Sequence, residues 1–135
     1  MDTLLDQITS PRDLRGLTPG ELERLAAEIR GRITDVVAAH GGHLASNLGI
    51  VELTLALHRA YDFSADHLVF DVGHQCYAHK LVTGRQEAFE DLRTAGGTSG
   101  FPNPEECPEY DRFRTGHAGA SISTATGLAL AEKAA

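Results

Sequence analysis

The sequence predicts an α/β fold, mostly helical, with the first strand or strands of a parallel sheet. Three observations carry this: apolar residues at helical spacing over the first third, one short β-prone run followed at once by glycine, and a closing helix after a long loop rich in Gly and Pro. A chain of 135 residues is long enough for one domain with its own core. No internal repeat or interdomain linker divides it.

Thr18-Pro19-Gly20-Glu21 has capping-box spacing, with Pro where its missing N–H costs nothing, so a helix starts there. Leu22, Leu25, Ala26, Ile29, Ile33, Val36 and Val37 form its apolar stripe, and Gly41-Gly42 ends it. Ser46 or Asn47 can cap a second helix reaching about Ala60, apolar on most sides and therefore buried. His67 to Val72 reads as a buried strand feeding the Gly73 turn and a helix from about His74 to Val82. A short amphipathic helix over 86–93 precedes a surface loop from Ala95 to Ala120. Ser121 can cap a last helix through Ala134, whose small residues suit close packing.

A net charge of −7 with no basic block argues against nucleic acid as a partner. Neither a signal-peptide layout nor an apolar run of spanning length is present, which excludes a membrane protein and predicts a cytoplasmic one. Cys76 and Cys107 form no C-x-x-C and read as reduced thiols.

Three of the seven histidines follow glycine, in Gly42-His43, Gly73-His74 and Gly116-His117, each at an element boundary. Glycine admits close backbone approach to a ligand, and imidazole can donate to phosphate or carry a proton. A single such pair is better explained by a turn cap or a core hydrogen bond; three together weaken that explanation and would suit a phosphorylated ligand. A zinc site fits less well, because His74 and His79 stand five apart, H-E-x-x-H is absent and the cysteines lack ligand spacing, so no metal ligand is assigned. Dinucleotide, P-loop and hydrolase signatures are missing.

The segments Gly41-Gly-His-Leu-Ala-Ser-Asn-Leu-Gly49, Asp71-Val-Gly-His-Gln-Cys-Tyr-Ala-His-Lys80, Leu81-Val-Thr-Gly-Arg85 and Gly100-Phe-Pro102 resemble, in order and spacing, the 1-deoxy-D-xylulose-5-phosphate synthase family of transketolase-like enzymes. The resemblance covers nearly the whole chain. It implies a thiamine-diphosphate-binding domain, of which residues 1–135 form the N-terminal part. The implied reaction is decarboxylation of pyruvate and transfer of its two-carbon unit to glyceraldehyde 3-phosphate, giving the precursor of isoprenoids, thiamine and pyridoxal. By position His43 and His74 correspond to catalytic histidines, His74 also contacting the cofactor, and Gly116, His117 and Ala118 to the segment along its diphosphate.

Two departures accompany the likeness. Ala118-Gly119-Ala120 stands where the family carries hydroxyl residues. The family's Gly-Asp-Gly segment, which holds magnesium, and its second domain with the activating glutamate have no counterpart in these residues. The sequence therefore reads as the front of a synthase needing the remainder of the enzyme or a second copy. The alternatives are a non-catalytic interaction module derived from it, or an independent metal-dependent hydrolase.

Overall fold

A computed structural model describes residues 3–135. Two 3-10 turns, Leu5–Gln7 and Pro11–Gly16, precede six helices: α1 (Pro19–His40), α2 (Ala45–Leu48), α3 (Val51–Ala60), α4 (Tyr77–Val82), α5 (Gln86–Phe89) and α6 (Ser121–Ala134). The α1 capping box forms as the sequence predicts: the Glu21 N–H donates to Thr18 Oγ1 at 3.3 Å and the Thr18 N–H donates to the Glu21 carboxylate at 2.7 Å. Leu25, Ala26, Ile29, Ile33 and Val36 of its stripe are buried. With Leu5, Ile8, Leu14, Val51, Leu55, Leu81 and Phe89 they make one continuous core.

The expected single second helix is two. The chain breaks at Gly49-Ile50, and neither Ser46 nor Asn47 caps the helix expected of it: Asn47 lies inside α2, fully buried. An Asn whose side chain is fully engaged by other segments is not free to cap its own helix. On α3 the buried face is Val51, Thr54, Leu55 and His58, while Leu53 is 56% exposed, so the helix is amphipathic rather than enclosed.

No strand forms among the described residues, which corrects the expectation of a parallel sheet. Residues 67–70 run without regular structure and without a ladder partner. A strand is stable only where a second segment takes up its N–H and C=O groups, and apolar composition alone cannot supply them. The apolarity of Leu68, Val69 and Phe70 is answered instead by Pro102, Tyr110 and Phe113, which line a crevice with them.

Helix α4 starts at Tyr77 rather than His74, and all six of its residues are buried, including His79 and Lys80. Buried charges must be paired. The segment after α5, expected to be a surface loop, returns as a strap that pairs them. Lys80 Nζ meets Glu106 at 2.5 Å, and the Arg85 guanidinium grips Asp111 through contacts of 2.6 and 3.2 Å. His79 Nε2 lies 2.8 Å from Asp111 Oδ1, and its Nδ1 lies 2.9 Å from His58 Nε2. An ionised carboxylate only accepts, so His79 donates from Nε2 and accepts at Nδ1, and His58 donates from Nε2. Both imidazoles are thereby neutral in the core.

Helix α6 has no buried residue, and only Ser121, Thr124 and Leu128 are partly covered. The expected close packing is absent, because small residues pack tightly only against an opposing surface and the described residues bring none to this helix. Its Glu132 reaches His67 at 2.6 Å.

Replacing Asp111 with Ala leaves Arg85 and His79 without their acceptor in the core, so urea unfolding should show a loss of roughly 3–5 kcal/mol. A loss below about 1 kcal/mol would place the strap's anchorage elsewhere.

The second expectation concerns acid. Burial, then His79 and Arg85, push the His58 imidazole down from its ordinary 6.5 to about 3. Between those values the unfolded chain binds a proton that the folded chain refuses, so stability should fall as pH drops below 6.5, by about 1.4 kcal/mol per pH unit for this group. His58→Phe, unfolded by urea at stepped pH, should show a shallower slope than wild type.

Candidate active site

Two glycine turns carry the predicted histidines. After α1, Gly41 and Gly42 take φ of 76° and 141°, and a side chain on Gly42 would put its Cβ 2.7 Å from the Tyr77 hydroxyl oxygen. Before α4, Val72 and Gly73 take φ of 60° and 91°, and a Cβ on Gly73 would collide with Thr115 Oγ1 and Pro102. Glycine is required at both for conformation and for room.

These turns bring His43 and His74 together, with ring centroids 5.1 Å apart in an edge-on arrangement, and Phe101 packs against His43 at 5.9 Å. Asn47 joins the turns. Its Nδ2 donates to the carbonyls of His43 at 2.6 Å and His74 at 2.8 Å, and its Oδ1 accepts from the Tyr77 N–H at 2.9 Å. The Tyr77 hydroxyl accepts from the His43 N–H at 3.2 Å, which closes the ring of contacts.

Partial burial, then the neighbouring His74 and Arg93, hold the His43 imidazole below its ordinary range. It is therefore neutral at pH 7, able to accept a proton or, from its N–H, to donate one. Arg93 takes φ of 62°, and its guanidinium comes within 3.8 Å of the Cβ position of Gly41, adding a cation beside the pair. Three buried polar atoms at the second turn lack hydrogen-bond partners among the described residues: His74 Nδ1, Gln75 Oε1 and Thr115 Oγ1. Buried polar atoms left unpaired are uncommon in folded proteins and mark where a ligand can bond.

Gly116, His117 and Ala118 are exposed. Thr115, Gly116, His117 and Ala120 line a cavity of about 360 Å³ with Arg114 and Thr124. His117 stands apart from the His43–His74 pair; the link between the two places is Thr115, packed on Gly73. Ser121, expected to cap α6, instead donates its hydroxyl to Asp71 at 2.6 Å, and the Gly119 N–H donates to the same carboxylate at 2.9 Å. The Ser121 hydroxyl and the Gly119 N–H hold the Asp71 carboxyl below its usual range, so it stays ionised and pins the start of α6.

Sequence reasoning missed Asn47, Tyr77, Arg93 and Asp71 as members of the site. All but Arg93 lie within the quoted motifs, but their roles depend on which groups come within reach in the fold. No group of three His, Cys, Asp or Glu side chains is placed to hold a metal ion among the described residues. Both cysteines are free, and burial pushes the Cys76 thiol up to about 12, which removes it as a nucleophile at neutral pH. No helix among the described residues is long and apolar enough to cross a membrane.

Comparison with known proteins gives one answer along the chain. The family described as 1-deoxy-D-xylulose-5-phosphate synthase matches residues 5–135. A protein of that name from Desulfitobacterium hafniense (strain DSM 10664 / DCB-2) is 59% identical over 128 residues, covering 95% of this chain and 20% of the relative. The 1-deoxy-D-xylulose-5-phosphate synthase 1 of Geobacter metallireducens is 57% identical over 131 residues, 97% of this chain and 21% of its own length. The synthase of Syntrophomonas wolfei is 56% identical over 131 residues, 97% of this chain and 20% of its length. The chain thus spans about a fifth of the length of the curated relatives it matches. With the paired histidines on their glycine turns and a family match over nearly every residue, the chain belongs to the 1-deoxy-D-xylulose-5-phosphate synthase family, as an N-terminal segment of that enzyme.

Proposed function

We propose that this segment supplies one wall of a thiamine-diphosphate site in a cytoplasmic synthase. That enzyme joins pyruvate to glyceraldehyde 3-phosphate with loss of CO₂, forming 1-deoxy-D-xylulose 5-phosphate for isoprenoid, thiamine and pyridoxal synthesis. The observation that supports this best is the His43–His74 pair, set on two turns that require glycine at Gly42 and Gly73, beside buried polar atoms that lack partners among the described residues.

The residues fit such a cofactor. His74 can bond it through the unpaired Nδ1, and the exposed backbone of Gly116, His117 and Ala118 can lie along a diphosphate. When bound, thiamine diphosphate supplies the carbon nucleophile and the electron sink that decarboxylation needs. His43, neutral at pH 7, would hold or move a proton at the oxygen of the substrate carbonyl. Phe101 packs edge-on against that imidazole, and Tyr77 holds its backbone N–H, while the ring stays open to an incoming substrate. Ser121 supplies no hydroxyl to the ligand, being committed to Asp71. An acidic chain cannot by itself neutralise a diphosphate, so magnesium would be held by the remainder of the synthase, as the family resemblance implies.

Titration calorimetry of the chain with thiamine diphosphate and Mg²⁺ tests the reading. Saturable binding is expected, weakened about tenfold or more, or about 1.4 kcal/mol, in His74→Ala. Gly73→Ala should weaken it as well, since the new Cβ would push against Thr115 and Pro102. Equal affinity in wild type and His74→Ala would remove His74 from the site, and no heat with either would mean that this wall does not bind cofactor by itself.

A further inference from the structure

We infer that Asn47 is the positioning residue of the site: by bonding the backbones of both Gly-His turns through one carboxamide, it sets the spacing and orientation of His43 and His74. The inference rests on the reading that these two histidines do the work proposed above.

A carboxamide has two N–H donors and one oxygen acceptor. In Asn47 both kinds of group are engaged, the donors on the His43 and His74 carbonyls and the oxygen on the Tyr77 N–H, at zero exposure. The two turns come from distant parts of the chain; the α1 ladder reaches only as far as the Gly41 N–H, on the Val37 carbonyl at 2.8 Å, and no strand holds either turn among the described residues. An Asn in the middle of a helical turn is locally unfavourable, so its presence in α2 is accounted for by what its side chain reaches.

No neighbouring side-chain chemistry replaces it. An aspartate offers no donor when ionised and would face two carbonyl oxygens in the core; protonated, it can satisfy only one of them. Leucine has the same branched shape, is larger, and has no polar atom. Serine can donate to one carbonyl only. Glutamine keeps the amide but adds a methylene to a filled space.

The competing role is purely structural. The Tyr77 N–H belongs to the first turn of α4, and Asn47 Oδ1 satisfies it as an N-terminal cap would. Such a role predicts a stability loss on substitution with the histidine pair otherwise intact. A positioning role predicts in addition that the rings separate and that His43 changes its titration, because His74 and Arg93 both act on it.

The groups around His43 are His74 on the second turn, Arg93 after α5, Tyr77 on α4 and Phe101 on the strap. Separation from His74 removes one of the influences that lower its titration, so the midpoint should rise toward 6.5.

The experiment is NMR of the full 135-residue chain without cofactor, comparing wild type, Asn47→Leu and Tyr77→Phe. In wild type, a nuclear Overhauser contact between the His43 and His74 rings is expected. The Asn47 carboxamide protons should also contact both residues and exchange about tenfold or more slowly relative to exposed amides. In folded Asn47→Leu the ring contact should be lost and the His43 midpoint should rise, with the His58–His79 resonances unmoved. Tyr77→Phe, which removes only the hydroxyl, should keep the ring contact. Retention of the contact and the midpoint in Asn47→Leu, with only a lower melting temperature, overturns the inference. Should that variant not fold, the wild-type carboxamide decides: protection with contacts to both histidines upholds it, and free exchange overturns it. Because no cofactor is added, failure of thiamine diphosphate to bind leaves this result readable on its own.

Discussion

The structure depends on the pairing of buried cations on and after α4 with carboxylates that arrive from the strap. Lys80 and Arg85 lie at or near zero exposure, a placement that is tenable only because Glu106 and Asp111 return to meet them. Burial alone would raise the Asp111 carboxyl; the bonds from His79 and Arg85 outweigh it and keep the group ionised. The Glu106 carboxyl follows the same balance, with Lys80 and the Ser99 N–H outweighing burial. Such pairs add less stability than an apolar replacement can, but breaking one is costly. Their use here is placement: a stretch with no regular structure acquires one path across α4.

That path fixes the site. Once Asp111 is held, Asn103 donates to it from the backbone at 2.8 Å, and Pro102 and Thr115 close against Gly73. Phe101 is then set beside His43, and the second glycine turn has no space to shift. On the other side, the Asn47 carboxamide binds the first turn to the second. The histidines are therefore held from two directions, by charge pairs under the strap and by the buried Asn47 carboxamide, although neither sits on a helix.

Where no such constraint reaches, the chain is less enclosed. Leu68 to Phe70 run without a ladder, and α6 stands outward with Ile122 and Leu130 at 79% and 63% exposure. Among the described residues, only Asp71 and His67 tether the side chains and start of that helix by hydrogen bonds, through Ser121, Gly119 and Glu132. The features closest to the proposed diphosphate segment are thus the ones most weakly packed within these residues. This agrees with a wall that the remainder of the synthase would complete.

Much of this was legible in the sequence, for local reasons. The Thr18 box, the α1 stripe and the glycine stop at Gly41-Gly42 are written in neighbouring residues and form as read. Glycine before histidine at an element boundary is the local signal that singled out His43 and His74, whose rings the fold brings together, and the long motifs carried the family. What the sequence could not decide was everything that needs a partner at a distance. A strand at residues 67–72 needed a ladder that no segment among the described residues provides. A cap at Asn47 or Ser121 gave way to bonds with His74 and Asp71, and the loop after α5, much of it at the surface as expected, also sends the buried Asp111 inward to meet Arg85. Periodicity and spacing report which faces are apolar and where backbones can bend; only the tertiary structure decides which polar group satisfies which, because that depends on distances between residues far apart in the chain.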